Sequence, residues 1–303
     1  MRILLSIFAS DILPIFLIAG AGFLLARKLH ANVKTMAHVA FYALSPCLAF
    51  KMLSTSTITG PQVGRMALFA VLITVVMGLI ARTVAIPLHL GRAEMSGFLL
   101  VVMFSNSGNF GLPVVLFAFG PEALSHATAY FVVSSTLTYT LGVFLAAAGK
   151  RSIPQALRGI ARVPAIYGVT AALVVMAGGI SVPAGLMRPI SLLSDAALPI
   201  MILVLGMQFE RAKVAERPSV VGLAVGLSLV VAPIVALGLT GLLGLEGTAR
   251  QASVILASMP AAVVTTILAL EFDVAPSFVT NCVFLSTILS PLTLTPLIAF
   301  LQE

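Results

Sequence analysis

Ten apolar stretches run along the chain, separated by short polar or charged interruptions, at about 12–29, 36–54, 66–85, 94–119, 124–148, 164–180, 187–207, 219–243, 250–270 and 277–301. A membrane-crossing helix needs ~20 mainly apolar residues. Backbone polar groups in lipid must be satisfied within the segment, and continuous runs of this length are too long for tilted barrel strands. The pattern therefore predicts an all-α integral membrane protein of ten transmembrane helices. The amino terminus, Arg2 followed by an apolar run from Ile3 to Phe8 and then Ala9-Ser10-Asp11, faintly resembles a cleavable leader. A second apolar stretch follows at once from Ile12, so it reads more simply as the lead into span 1.

Composition agrees: 60% of the 303 residues are hydrophobic, only 9% are charged, and mean hydropathy is +1.14. An average soluble domain carries roughly 25% charged residues. The formal charge of +7 does not point to nucleic acid, because the cations fall in short loops between spans. The first, third, fifth and seventh loops hold Arg27, Lys28 and Lys34; Arg82 and Arg92; Lys150, Arg151, Arg158 and Arg162; and Arg211, Lys213 and Arg217, twelve of the 17 cations. By the positive-inside rule these loops face the cytoplasm of an inner (plasma) membrane protein, and both termini are external. Cys47 and Cys282 lie in apolar runs and read as packed thiols.

The halves of the chain correspond weakly. Pro14 matches Pro164, Pro46 matches Pro199 and Pro113 matches Pro260, at offsets of 150, 153 and 147 residues, each pair in corresponding spans. With five spans in each half, the second must enter the membrane from the opposite side. The expected organisation is two inverted five-helix repeats, 1–148 and 164–303, joined by a cytoplasmic connector at 149–163, an architecture common in secondary transporters.

The chemistry concentrates where two spans are interrupted. In Ser105-Asn-Ser-Gly-Asn-Phe-Gly-Leu-Pro113, six of nine residues disfavour a regular helix, and Pro113 deprives the Asn109 carbonyl of its helical donor. Ser258-Met259-Pro260 repeats the theme in span 9 and frees the Leu256 carbonyl. Unwound backbone at membrane depth persists only inside protein or along a wet cavity, and paired interruptions mark a transporter's binding site. Half-helices beginning near Pro113 and Pro260 direct amides and positive dipole ends at an anion. The expected substrate-binding set is Asn106, Asn109, Gly111, Pro113, Ser258 and Pro260. A simple proline kink is the alternative reading.

Asp195, inside span 7, is read either as a proton- or cation-coupling and gating group, or as a residue that lies nearer an interface or only satisfies backbone around the Pro199 kink. Lys51 reads as snorkelling to the outer interface, and His38, His89 and His126 as interfacial. No metal, nucleophile-elbow or phosphate-loop motif is present, so the chain reads as a non-enzyme without cofactors, coupled to a proton or Na+ or running passively.

The Asn-x-Gly-Asn-x-Gly-x-Pro pattern, here Asn106-Ser-Gly108-Asn109-Phe-Gly111-Leu-Pro113, resembles the auxin efflux carrier family. That resemblance, over essentially the whole chain, includes bacterial malonate and related carboxylate permeases. It implies a fold like bile-acid symporters and sodium/proton antiporters, with spans 4 and 9 crossing at their breaks. It also implies a scaffold of spans 1, 2, 6 and 7 that dimerises and a moving transport domain of spans 3–5 and 8–10. The function implied is elevator-type transport of a small organic anion, a carboxylate such as malonate or an auxin-like acid. A sodium-coupled bile-acid-type symporter, and a passive channel or membrane sensor, are the alternatives. The long regulatory loop of the plant carriers is missing.

Overall fold

The computed structural model describes residues 2–55, 59–147, 164–210 and 217–303; the expected connector 149–163 lies outside the described residues. The described chain is helical: α1 (Ile3–Leu29), α2 (Val33–Ser54), α3 (Gly60–Leu88), α4 (Arg92–Met103), α5 (Ser107–Ala146), α6 (Pro164–Ala177), α7 (Ala184–Phe209), α8 (Pro218–Leu242), α9 (Gly247–Ala257), α10 (Val264–Phe272) and α11 (Pro276–Gln302). Among the described residues seven helices, α1, α2, α3, α5, α7, α8 and α11, are long and apolar enough to cross a membrane. The ten apolar stretches thus do not appear as ten continuous helices. The fourth and ninth are each divided, into α4 and the start of α5, and into α9 and α10. Between the fourth and fifth stretches, α5 runs on through Gly120, whose φ of 81° breaks the helical path just before Pro121.

Prolines shape four of the long helices in one way. The residue before each of Pro14, Pro46, Pro113 and Pro233 donates its amide five residues back: Leu13 to Phe8, Ser45 to Ala40, Leu112 to Ser107 and Ala232 to Leu227. A proline ring crowds the carbonyl four residues before it and offers no N–H. Opening the preceding turn to a five-residue register relieves that crowding and bends the helix.

Small residues set the closest packing. The Leu13–Leu29 part of α1 lies along α7, and α6 lies along the Ser45–Ser54 part of α2. At Gly206 an added Cβ would overlap the Ala19 carbonyl, at Gly22 the Leu203 carbonyl, and at Gly168 the Pro46 carbonyl. Lipid supplies no hydrophobic force between helices, so close backbone approach through small residues drives their association. α9 packs along α5, and α3 along α4 and α5. Polar ties at the helix ends hold this group: Thr248 donates to Glu122 (3.2 Å), Gln251 to the Leu301 carbonyl (2.8 Å) and Gln302 to the Ala118 carbonyl (3.1 Å). Arg217, ahead of α8, pairs with Glu94 in α4 at 2.8 Å.

Candidate anion site at the paired helix breaks

The two interruptions meet. Residues 104–106 and 260–262 lie side by side, with an antiparallel bridge between Ser105 and Ala261. The Asn106 amide donates to the Pro260 carbonyl at 2.7 Å and the Ala262 amide to the Phe104 carbonyl at 2.8 Å. The Ala261 amide donates to the Ser286 hydroxyl of α11 at 3.2 Å. The Leu256 carbonyl, freed by Pro260, accepts from the Ser105 hydroxyl at 2.8 Å. Backbone groups that would otherwise be orphaned in the protein interior thus satisfy one another, so the unwound segments persist without water at that point.

Helix resumes beyond the pairing on both sides, though not where the prolines alone suggest. α5 begins at Ser107, six residues before Pro113, and α10 begins at Val264, four after Pro260. Neither proline opens its half-helix. The first bond of α5 runs from the Gly111 amide to the Asn106 carbonyl at 2.9 Å, which leaves the Gly108, Asn109 and Phe110 amides ahead of it at the positive end of the helix. Pro113 is the residue whose N–H would serve Gly108 in the five-residue register or Asn109 in the four-residue register, and it has none.

A cavity of about 120 Å³ lies against these starts. Residues 105–109 and 262–264 form its floor; Phe131, Ser134, Ser135, Thr138 and Tyr139 of α5, Ala37, Ala40 and Phe41 of α2, and Met201, Val204 and Gln208 of α7 form its walls. Asn106 and Asn109 are brought together there. Gly111 is buried behind the floor, where an added Cβ would meet Leu256 and Met259. Pro113, Ser258 and Pro260 are also buried and do not line the cavity; Ser258 turns its hydroxyl to the Val254 carbonyl at 2.6 Å. Asp195 stands apart, paired with Lys51 at 2.6 Å with 65% of its side chain exposed. The pair replaces the freely snorkelling lysine that the sequence suggests.

Among the described residues, two polar atoms at the cavity are buried without a hydrogen-bond partner, Nδ2 of Asn106 and Oε1 of Gln208. Such atoms are rare in folded proteins, and each calls for an explanation. Gln208 escapes sequence reasoning, as does the hydroxyl-bearing wall of α5, although Ser134-Ser-Thr-Leu-Thr138 is an unusually polar run for a span. Asp11 escapes it too: it is buried in α1 and accepts from Ser10 at 2.6 Å. His126, expected at an interface, is buried with Nδ1 unpartnered. Among the described residues no cluster of His, Cys, Asp and Glu could hold a metal ion.

Residues 7–298 match the family described as membrane transport protein. An "Uncharacterized transporter" of Methanothermobacter thermautotrophicus is 27% identical over 272 residues, 87% of each chain. A "Putative malonate transporter" of Rhizobium meliloti is 26% identical over 314 residues, 96% of this chain and 95% of its own. A "Probable auxin efflux carrier component 1b" of Oryza sativa subsp. japonica is 30% identical over 132 residues, 43% of this chain and 24% of its own.

Proposed function

Because the chain belongs to the membrane transport protein family, which includes the auxin efflux carriers, and is a transporter rather than an enzyme, we propose that it carries a small organic anion by alternating access, binding it in the cavity at the paired breaks. The observation that carries this reading is the convergence of two helix starts and two asparagines, Asn106 and Asn109, on one cavity with no cation among the described residues of its walls. Oriented amides favour an anion by roughly 0.3–1 kcal/mol per helix end, up to ~2 when partly buried. The asparagine amides add directed donors. A site built from dipoles and neutral amides holds a carboxylate and releases it again. The malonate named for the Rhizobium meliloti relative makes a carboxylate the first class to test.

The architecture proposed around the site is ten spans in two inverted repeats. The count takes the divided fourth and ninth spans as single crossings, separates α5 at Gly120 and includes the short α6. The packing supports an inverted repeat, because span 1 against span 7 and span 6 against span 2 become the same pair when the halves are exchanged. Spans 1, 2, 6 and 7 form the scaffold through which two copies associate. The broken spans move with 3, 5, 8 and 10 as an elevator. Ala37 and Gln208 lie near the ends of α2 and α7 that join the basic loops, so with those loops cytoplasmic in an inner membrane the described state is inward-facing. Asp195 serves coupling or gating through its link to Lys51, with a proton or Na+ as the coupling ion.

A thermal-stabilisation screen of the purified protein against mono- and dicarboxylates tests the proposal, run with and without sodium and at two pH values. Carboxylates should raise the unfolding temperature in a saturable way, by mass action on the native state. Stabilisation by none of them, or equally by neutral amides of the same shape, would overturn it.

A further inference from the structure

The two orphaned atoms at the cavity differ in kind. Nδ2 of Asn106 is a donor on the broken span, on a residue only 5% exposed. Oε1 of Gln208 is an acceptor near the end of α7. The backbone of Asn106 is already committed, its amide to Pro260 and its carbonyl to Gly111, so the position is fixed and only the side chain is left to recognise a ligand. A plain carboxylate satisfies Nδ2 and leaves Oε1 unmet, because a carboxylate has no hydrogen to give. An unmet buried acceptor carries its full desolvation penalty.

From this pairing, and resting on the proposed carboxylate site, we infer that Gln208 is a specificity residue that selects an anion bearing its own hydrogen-bond donor: a small hydroxy acid or a half-protonated dicarboxylate. The carboxylate accepts from Asn106 Nδ2 while the ligand's O–H donates to Gln208 Oε1. Sites built to hydrogen-bond a particular group reject analogues that lack it, because the protein's buried polar atom is then stranded. The same contact has a mechanical consequence. Asn106 and Gln208 belong to the bodies proposed to move against each other, so a ligand that satisfies both bridges them in the described state.

Equilibrium binding of 3-hydroxypropionate and of propionate to the purified full-length protein tests the assignment. The two acids have the same carbon chain and charge and differ by one hydroxyl. The wild type should prefer 3-hydroxypropionate by about tenfold, the range of one net hydrogen bond. In Gln208→Leu, and in Gln208→Met, which keeps the unbranched length should Leu perturb folding, that ratio should fall to about one. In Asn106→Ala both acids should weaken together. A wild-type ratio near one, or a ratio that survives both Gln208 variants, overturns the role of Gln208 and leaves the carboxylate site standing. A loss of both acids alike in the Gln208 variants overturns it as well, since Gln208 would then donate to the carboxylate. If neither acid nor any other carboxylate binds the folded wild type, the carboxylate site itself falls, and this assignment with it.

Discussion

At the scale of single residues, position in the sequence was informative where the residue type is costly in a helix and uninformative where it is not. Asn106, Asn109 and Pro113 stand out because six helix-disfavouring residues among nine in one apolar run have no cheap explanation. Gln208, the next-to-last residue of α7, carries no such sequence signal, and only its place against the cavity singles it out. Asn109 lines the cavity at the start of α5. Removing a hydrogen bond to a charged ligand costs ~1.5–3 kcal/mol, so Asn109→Ala should weaken carboxylate binding about ten- to hundredfold while the unliganded unfolding temperature holds. Unchanged affinity in a folded variant would move the site elsewhere. Asp195 calls for a different readout, because it is bound to Lys51 and not to the cavity. Charged groups within spans are costly enough that such pairs mark functional positions. Asp195→Asn should alter the pH or sodium dependence of uptake more than equilibrium affinity. Wild-type uptake by that variant at every pH and sodium level would reduce the pair to a structural tie.

At the scale of elements, the long apolar stretches were legible because length and hydropathy decide them directly: α2, α3, α7, α8 and α11 fall within six residues of where the pattern puts them, while α1 runs on ahead of its stretch to Ile3. The half-helix starts were not. Proline fixes φ and favours the first helical position, which suggested starts at 113 and 260. The wide turn at Ser107–Gly111 carries the helix back past Pro113, and the pairing of 260–262 with 104–106 delays α10 to Val264. The first effect is the local answer to Pro113, whereas the second comes from contacts between segments about 150 residues apart, which no local propensity contains. Glycine roles divide in the same way. Gly20 and Gly206 are indistinguishable by type, yet a Cβ at Gly20 meets nothing within 4 Å and one at Gly206 overlaps the Ala19 carbonyl. Gly206→Val should therefore separate α1 from α7 and lower the unfolding temperature sharply in detergent, whereas Gly20→Val should be near neutral. Equal tolerance of the two would mean that α1 and α7 are not held at backbone contact.

At the scale of the whole molecule, fold class and transport were readable from the sequence because composition excludes soluble folds and the broken spans exclude a simple bundle. The way the halves fit together was not, since three matched prolines show correspondence without showing which helices touch. The described packing of α1 on α7 and α6 on α2 supplies that. The orientation still rests on loop charge, and a cysteine placed at Gln155 should be labelled by an impermeant reagent from the cytoplasmic side only. Labelling in intact cells would reverse the assignment of the described state as inward-facing. If these parts form a carrier of small organic anions, proteoliposomes should show solute counterflow. Vesicles loaded with unlabelled malonate and diluted into labelled malonate should accumulate label transiently and saturably, and Asn109→Ala vesicles should need a correspondingly higher concentration. Absence of counterflow for malonate and for every carboxylate that stabilises the protein, or an unsaturable conductance at channel rates, would contradict it.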